Sequence, residues 1–350
     1  MHCQSRWAWS GFLAAVALAW LPALGMADAL DRLDRFRELA ATRLGLAQTG
    51  AADGPDAYRE TYGLLDEEIV ENLASGGPFA STPFLQDRLD AFAEVWGGAA
   101  LRVLRIGPIV VGVFRLGDGP GGSAIHVYGL LGGEPALLTV LSRDARPTVY
   151  RSAPARDGSP QFIVAWEGAP SGRGTYALRL DLARQRGDAA RIVWTTADLF
   201  PEGLFARGYS VRDGQIAIRY ELRYPGWTPG CEGQTEAEDV FRMTPATAGF
   251  TRVSHREHNA WHRDLHASVT RLFDAIRTGD RATLATLVVD PDLVSRLPAR
   301  LRSEPACDAT DGANPMKVSV AATGEREPWQ LTFRRTGARW RLSAAAPVIP

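Results

Sequence analysis

The sequence predicts an α+β protein whose two kinds of structure are laid out in blocks: N-terminal helices, an antiparallel β middle region, and an α+β module at the C-terminus. Two changes of hydrophobic period predict this. Apolar residues recur every three to four positions up to about residue 98, alternate with polar ones from 99 to 253, then return to helical spacing before three closing strands. The third observation is turn chemistry in the middle block, where Gly117-Asp118-Gly119, Asp157-Gly158 and Ser171-Gly172-Arg173-Gly174 punctuate short apolar runs.

Residues 1–27 read as a secretory signal peptide. Arg6 precedes an apolar run from Trp7 to Leu24, and the small-residue site Gly25-Met26-Ala27 precedes Asp28. A retained anchor is the rival reading, because the run approaches the ~20 residues of a spanning helix. Pro22 and the Gly-Met-Ala exit favour cleavage, which leaves no membrane span and a periplasmic or secreted chain. The charge is nearly balanced, at 39 basic and 40 acidic residues, so no nucleic-acid or anionic-membrane partner is expected. Lys317 is the single lysine. Cys3 leaves with the leader, and the remaining pair, Cys231 and Cys307, reads as a disulfide in an exported chain.

Residues 28–98 are expected to be helical. Leu30, Leu33, Phe36, Ala40 and Leu44 share one face, Gly45 to Pro55 is a linker, and a second helix runs from Tyr58 to Leu73. Thr82 and Pro83 open a third helix, whose face is Leu85, Leu89, Phe92 and Trp96, and Gly97-Gly98 ends it. The block 99–253 carries strand-length runs at 101–106, 109–116, 124–130, 137–141, 162–166, 176–182, 192–195, 216–224, 240–243 and 250–253. Asp213-Gly214 is a tight-hairpin dipeptide. The run of strands fits a sandwich or a few propeller-like blades. Three blade lengths cannot close a ring, which leaves an open or stacked sheet.

In 254–350, Ser254-His255-Arg256-Glu257 has capping-box spacing and predicts a helix from there to Gly279. Asp280 caps a second helix, Asp290-Pro291 opens a third, and strands follow at 317–321, 329–334 and 339–344. Leu272-Phe273-Asp274-Ala275-Ile276-Arg277-Thr278-Gly279-Asp280, with Leu284, Leu287 and Asp290-Pro291, resembles the helical start of NTF2-like proteins (the SnoaL and ketosteroid isomerase superfamily). Trp329 to Phe333 and Arg339 to Leu342 resemble that superfamily's last hairpin. The resemblance spans roughly residues 260–345. It implies a curved sheet wrapped by helices, a cone whose mouth holds a small ligand. The sequence departs from the pattern in having three good strands and no matching Asp/Tyr or Asp/His catalytic pair, so the resemblance implies a non-catalytic module.

Four of the six histidines, His255, His258, His262 and His266, fall within the expected helix at offsets of 3, 7 and 11. That spacing puts them on one side, where an i, i+4 pair can share zinc, copper or nickel, with Glu257 and Asp264 as oxygen donors. The same stripe overlaps Leu265, Val269, Leu272 and Ile276, so an inert, hydrogen-bonded packing role is the competing reading. The order is not that of a His-Glu-x-x-His protease. A second candidate is Tyr224-Pro225-Gly226-Trp227-Thr228-Pro229-Gly230-Cys231, a stiff loop offering Tyr224 and Trp227 to a ligand. Glu232, Glu236, Glu238 and Asp239 follow as calcium-type oxygens. Here too the aromatics can simply cap the β core. No nucleophile elbow, phosphate loop or dinucleotide fingerprint is present, and His126 has no evident nucleophile beside it. The sequence therefore predicts an exported, non-enzymatic binding protein for a small molecule or envelope partner. Its alternative is a metal-dependent hydrolytic enzyme on the histidine helix.

Overall fold

A computed structural model describes residues 31–42, 58–172, 174–244, 249–298, 300–310, 312–325, 327–337 and 339–348. The expected signal peptide and the expected 45–55 linker lie outside the described residues. The protein is α+β and β-rich, with antiparallel sheets, and divides into two compact units. The first is Met1–Gly168 with Arg179–Thr195, and the second is Ala169–Leu178 with Thr196–Pro350.

The first unit opens with helices α1 (residues 31–42), α2 (Arg59–Ser75) and α3 (Thr82–Trp96). The cap of α3 is Ser81, one residue before the expected Thr82; its hydroxyl accepts from the Phe84 N–H, and Pro83 sits inside the first turn. Strands β1 (Ala100–Ile106), β2 (Ile109–Arg115), β3 (Ser123–Leu131) and β4 (Glu134–Ser142) form an antiparallel meander. The two-residue period splits this sheet cleanly. Leu101, Val103, Val110, Phe114 and Tyr128 pack with Phe36, Leu65, Leu89, Phe92 and Trp96 of the helices. Ile109, Val111, Ile125 and Val127 pack on the other side against Phe162, Val164, Trp166 and Ala183. The latter come from β6 (Gln161–Pro170) and β7 (Tyr176–Arg186), which run beside β5 (Arg146–Arg151) and β8 (Ala189–Thr195). Each large side chain so buried contributes about 1.5–3 kcal/mol. Buried Glu68 takes Arg32 at 3.1 Å and Arg88 at 2.6 Å, joining the three helices.

The second unit holds β9 (Phe205–Arg212), β10 (Gln215–Glu221), β11 (Glu236–Thr244) and β12 (Gly249–His258), paired in that order. Asp213 and Gly214 turn β9 into β10 with φ of 50° and 70°, as a tight hairpin requires. Tyr176 and Ala177 of β7 belong to this unit and pair with Ala206 and Phe205. Helices α4 (Ala260–Thr278), α5 (Arg281–Leu287) and α6 (Asp292–Arg296) follow. The last sheet pairs β13 (Arg302–Ser303), β15 (Lys317–Thr323), β16 (Pro328–Thr336) and β17 (Arg339–Pro347), with β14 (Ala309–Thr310) also on β15. Trp261, Leu265, Val269, Leu272 and Ala275 of α4 share a core with Val318, Val320, Leu331, Phe333 and Leu342 of the sheet. Lys317 opens β15 and is exposed.

The expected capping box at Ser254 does not form. Residues 254–258 instead extend β12, pairing Ser254, His255, Arg256, Glu257 and His258 with Val240, Asp239, Glu238, Ala237 and Glu236. Asn259 then adopts a left-handed conformation (φ 53°, ψ 38°) and turns the chain into α4. At the other end the expected Gly279 terminus holds, left-handed at φ 70°. Cys231 and Cys307 are joined, as expected, across a Cα–Cα distance of 5.1 Å. The bridge closes 76 residues, which the chain-entropy relation equates with about 4 kcal/mol. Among the described residues no helix is long and apolar enough to cross a membrane.

Candidate functional site

Because α4 begins at Ala260, only two of the four histidines stand on it. His262 and His266 lie one turn apart, 3% and 6% exposed, with rings stacked at 4.6 Å between centroids. They flank the apolar stripe that docks α4 on its sheet, which is why both are buried. Their common partner is Asp308, from the stretch between β13 and β14. His262 Nε2 lies 3.1 Å and His266 Nε2 lies 2.7 Å from the same oxygen, Asp308 Oδ2. A carboxylate only accepts, so both Nε2 atoms carry the protons and donate.

The 224–231 loop closes over this pair. The Tyr224 hydroxyl is 2.6 Å from His262 Nδ1 and accepts from the Thr235 N–H at 3.1 Å. In a neutral ring that carries its proton on Nε2, Nδ1 accepts and the phenol donates to it. Gly226, at φ +90°, brings its backbone against the His266 imidazole so closely that a Cβ there would run into the ring. Gln234 stiffens the rest of the loop. Its Oε1 accepts from Thr228 N–H at 2.8 Å, and its Nε2 donates to the Thr228 and Cys231 carbonyls at 2.7 and 3.0 Å. Thr235 ties the loop to the start of α4, its hydroxyl donating to Asn259 O and accepting from Arg263 N–H.

Burial alone would push the Asp308 carboxyl up. The hydrogen bonds from His262 and His266, together with the charge these rings carry when protonated, outweigh it and hold the group below the ordinary carboxylate range. Burial pushes the Tyr224 phenol up against the lowering effect of the Thr235 hydrogen bonds.

The other expected site residues go elsewhere. His255 and His258 stand on β12, with His255 Nδ1 on Asp239 at 2.6 Å and His258 Nε2 on Glu238 at 2.9 Å. A four-histidine centre on one helix is therefore not formed; a strand end and a helix end separate the two pairs. Tyr224 and Trp227 are not a matched pair of exposed rings. Tyr224 turns in to His262, and Trp227 lines a cavity of about 330 Å³ with Arg207, Glu221, Glu232 and Gln234. The Arg223 guanidinium stacks on Trp227 at 5.0 Å and on Phe205 at 3.9 Å. The acidic run does not converge as a calcium cage. Glu236 is held by Arg207 and Arg219, Glu238 by His258, and the buried Asp239 by Tyr220, Arg252 and His255. Glu257 pairs with Arg263 and the exposed Asp264 lies 3.6 Å from it, so neither joins the histidine site.

Two partners escaped sequence reasoning. Asp308 stands 42 residues from His266, but it follows Cys307, whose bond to Cys231 ties it to the same loop. That adjacency is the signal that finds it. His126, buried on β3, bonds Asp66 of α2 at 2.7 Å, and Tyr128 donates to the same oxygen at 2.6 Å. Nothing nucleophilic joins this second group among the bonds described. The ligand atoms of His262, His266 and Asp308 lie within 4.8 Å of one another, a set of two imidazole nitrogens and one carboxylate oxygen. Those donors suit a borderline divalent ion such as zinc, nickel or copper. Ligation would replace the two Nε2 protons, so uptake would release protons or move them to Nδ1.

No protein-family profile matches the chain. No curated protein matches it. Among solved structures it is similar to a rhamnogalacturonan lyase of Bacillus licheniformis, at 12% identity and a TM-score of 0.15, over 71% of this chain and 52% of that one. The chain thus matches about half of the lyase's length, and a likeness at that TM-score carries neither fold nor function.

Proposed function

We propose that this chain is an exported, non-enzymatic binding protein of the bacterial envelope, and that it binds a transition-metal ion through His262, His266 and Asp308. One observation carries the reading: two neutral-capable imidazoles and a carboxylate, from segments 42 residues apart, point at one place inside the fold. The leader pattern at residues 1–27 and the cysteine pair support a periplasmic or secreted location. The NTF2-like reading of residues 254–350 belongs to the same proposal. Three helices leading into an antiparallel sheet follow the order that resemblance implies.

Burial favours binding over turnover. The three side chains are 4%, 8% and 4% exposed for His262, His266 and Asp308, whereas a hydrolytic centre keeps a coordination position open to water. The Tyr224 hydroxyl on His262 Nδ1 is the kind of outer partner that orients a ligating ring.

Metal content of the untagged full chain, followed by zinc titration against a chromophoric chelator, tests this. One equivalent of zinc, copper or nickel is expected. His262→Ala should weaken binding by more than roughly 100-fold and Tyr224→Phe by about tenfold. A native protein that carries no metal and takes up none at micromolar zinc sinks the reading and leaves the cluster as an inert polar clamp.

A further inference from the structure

We infer that the Cys231–Cys307 disulfide licenses the metal site, so that His262, His266 and Asp308 take up metal only after the chain has been oxidised. The inference rests on the metal reading above. It follows from where the two sulfurs sit in the chain. Asp308 is joined to Cys307 by one peptide bond. It lies on a stretch framed by β13 and β14, each two residues long and each with two ladder pairs to β15. Cys231 ends the loop whose Tyr224 fixes His262 and whose Gly226 is packed on His266. Gln234 clamps the Cys231 carbonyl to Thr228 of that loop. The disulfide is thus the covalent joint between the segment supplying the carboxylate and the loop that positions both imidazoles.

With the thiols free, Asp308 is held among the described residues by two short ladders, by the bonds of Glu304 to Ala321 O and Thr323 beside the first, and by its own hydrogen bonds to the histidines. The stretch must then be ordered when the ion binds, and that ordering weakens affinity. Oxidation removes two electrons and two protons from the cysteine thiols, and a low-molecular-weight disulfide takes them up. One cysteine thiolate attacks the oxidant's S–S bond and expels a thiol, leaving a mixed disulfide. The other thiolate then displaces the second thiol and closes Cys231–Cys307. A chain exported in the reduced state would therefore cross the cytoplasm without collecting metal and load it in the oxidising compartment. Linkage requires the converse: bound metal stabilises the disulfide by the same factor.

The test uses the full chain, zinc alone as probe, and glutathione redox buffers. Oxidised protein is compared with the Cys231→Ser/Cys307→Ser variant by chelator competition, with circular dichroism as the check on folding. At least tenfold weaker zinc binding by the folded double variant is expected. Independently, the glutathione ratio that reduces half of the native disulfide is measured with and without zinc, and again in His262→Ala. Zinc should make the native disulfide at least tenfold harder to reduce and leave His262→Ala unmoved, a readout that stands even where the double variant fails to fold. Equal zinc affinity in the folded double variant overturns the inference while sparing the metal site. So does zinc that makes the bond easier to reduce, since the freed thiolates would then be taking the ion. Native oxidised protein that binds no zinc removes both.

Discussion

Gly226 shows how much of the site depends on single atoms. Its φ of +90° is strained for any residue with a Cβ, and the space a Cβ would need is filled by the His266 ring. Gly226→Ala should therefore lower stability by about 1–3 kcal/mol and weaken zinc binding together. Gly132→Ala, at φ +64° in the β3–β4 turn with open space around it, meets only the backbone penalty, about 1 kcal/mol. Urea unfolding of the two variants, with zinc titration of each, checks the contrast; equal losses with intact zinc binding would show that Gly226 has no part in the site. At this scale the i, i+4 spacing of His262 and His266 was legible in the sequence. Asp308 was not, because a ligand brought in by tertiary folding leaves no local periodicity. His255 and His258 misled, because a wholly polar stretch such as Ser254 to His258 fits strand and helix periods equally well.

Among the elements, those with an apolar face on one side could be read directly. α3, β1 to β3 and the β16–β17 hairpin follow their sequence patterns, and β10 follows its pattern as far as Glu221, where the strand ends short of the expected Tyr224. The strands β5 and β9 could not be read this way, since Arg146–Arg151 and Phe205–Arg212 are exposed or half-buried along most of their length. Caps were legible where one side chain does the work. Asp280 accepts from the N–H and hydroxyl of Thr283 at the start of α5, and these bonds hold its carboxyl below the ordinary aspartate value of 3.8. A carboxyl depressed in the folded state stabilises above its unfolded value, and that contribution is lost as pH falls through the folded one. Amide exchange at Thr283 should accordingly stay slow at pH 5 and quicken below about pH 4 relative to its intrinsic rate. Asp280→Ala should remove that pH dependence; a variant that keeps it would assign the effect to another group.

The whole chain passes between its two units three times, at residues 168/169, 178/179 and 195/196, whereas the disulfide lies wholly within the second. Neither unit is one continuous fragment, because residues 169–178 belong to the second unit and their flanks to the first. Opening the disulfide should quicken amide exchange in α4 and β14–β15 and leave α2 and β2 as they were, as hydrogen-exchange mass spectrometry would report. Quickening in α2 would mean that the two units unfold as one. The position of Lys317 gives a way to watch this happen. It is the single lysine of the sequence, exposed at the start of β15, and the next residue, Val318, pairs with Thr310, two residues beyond Asp308. An amine-directed fluorophore therefore has one side chain to attach to, besides the α-amine, and both cysteines can stay in their bond. Light emitted from that position would follow the docking and release of the Asp308 segment in real time.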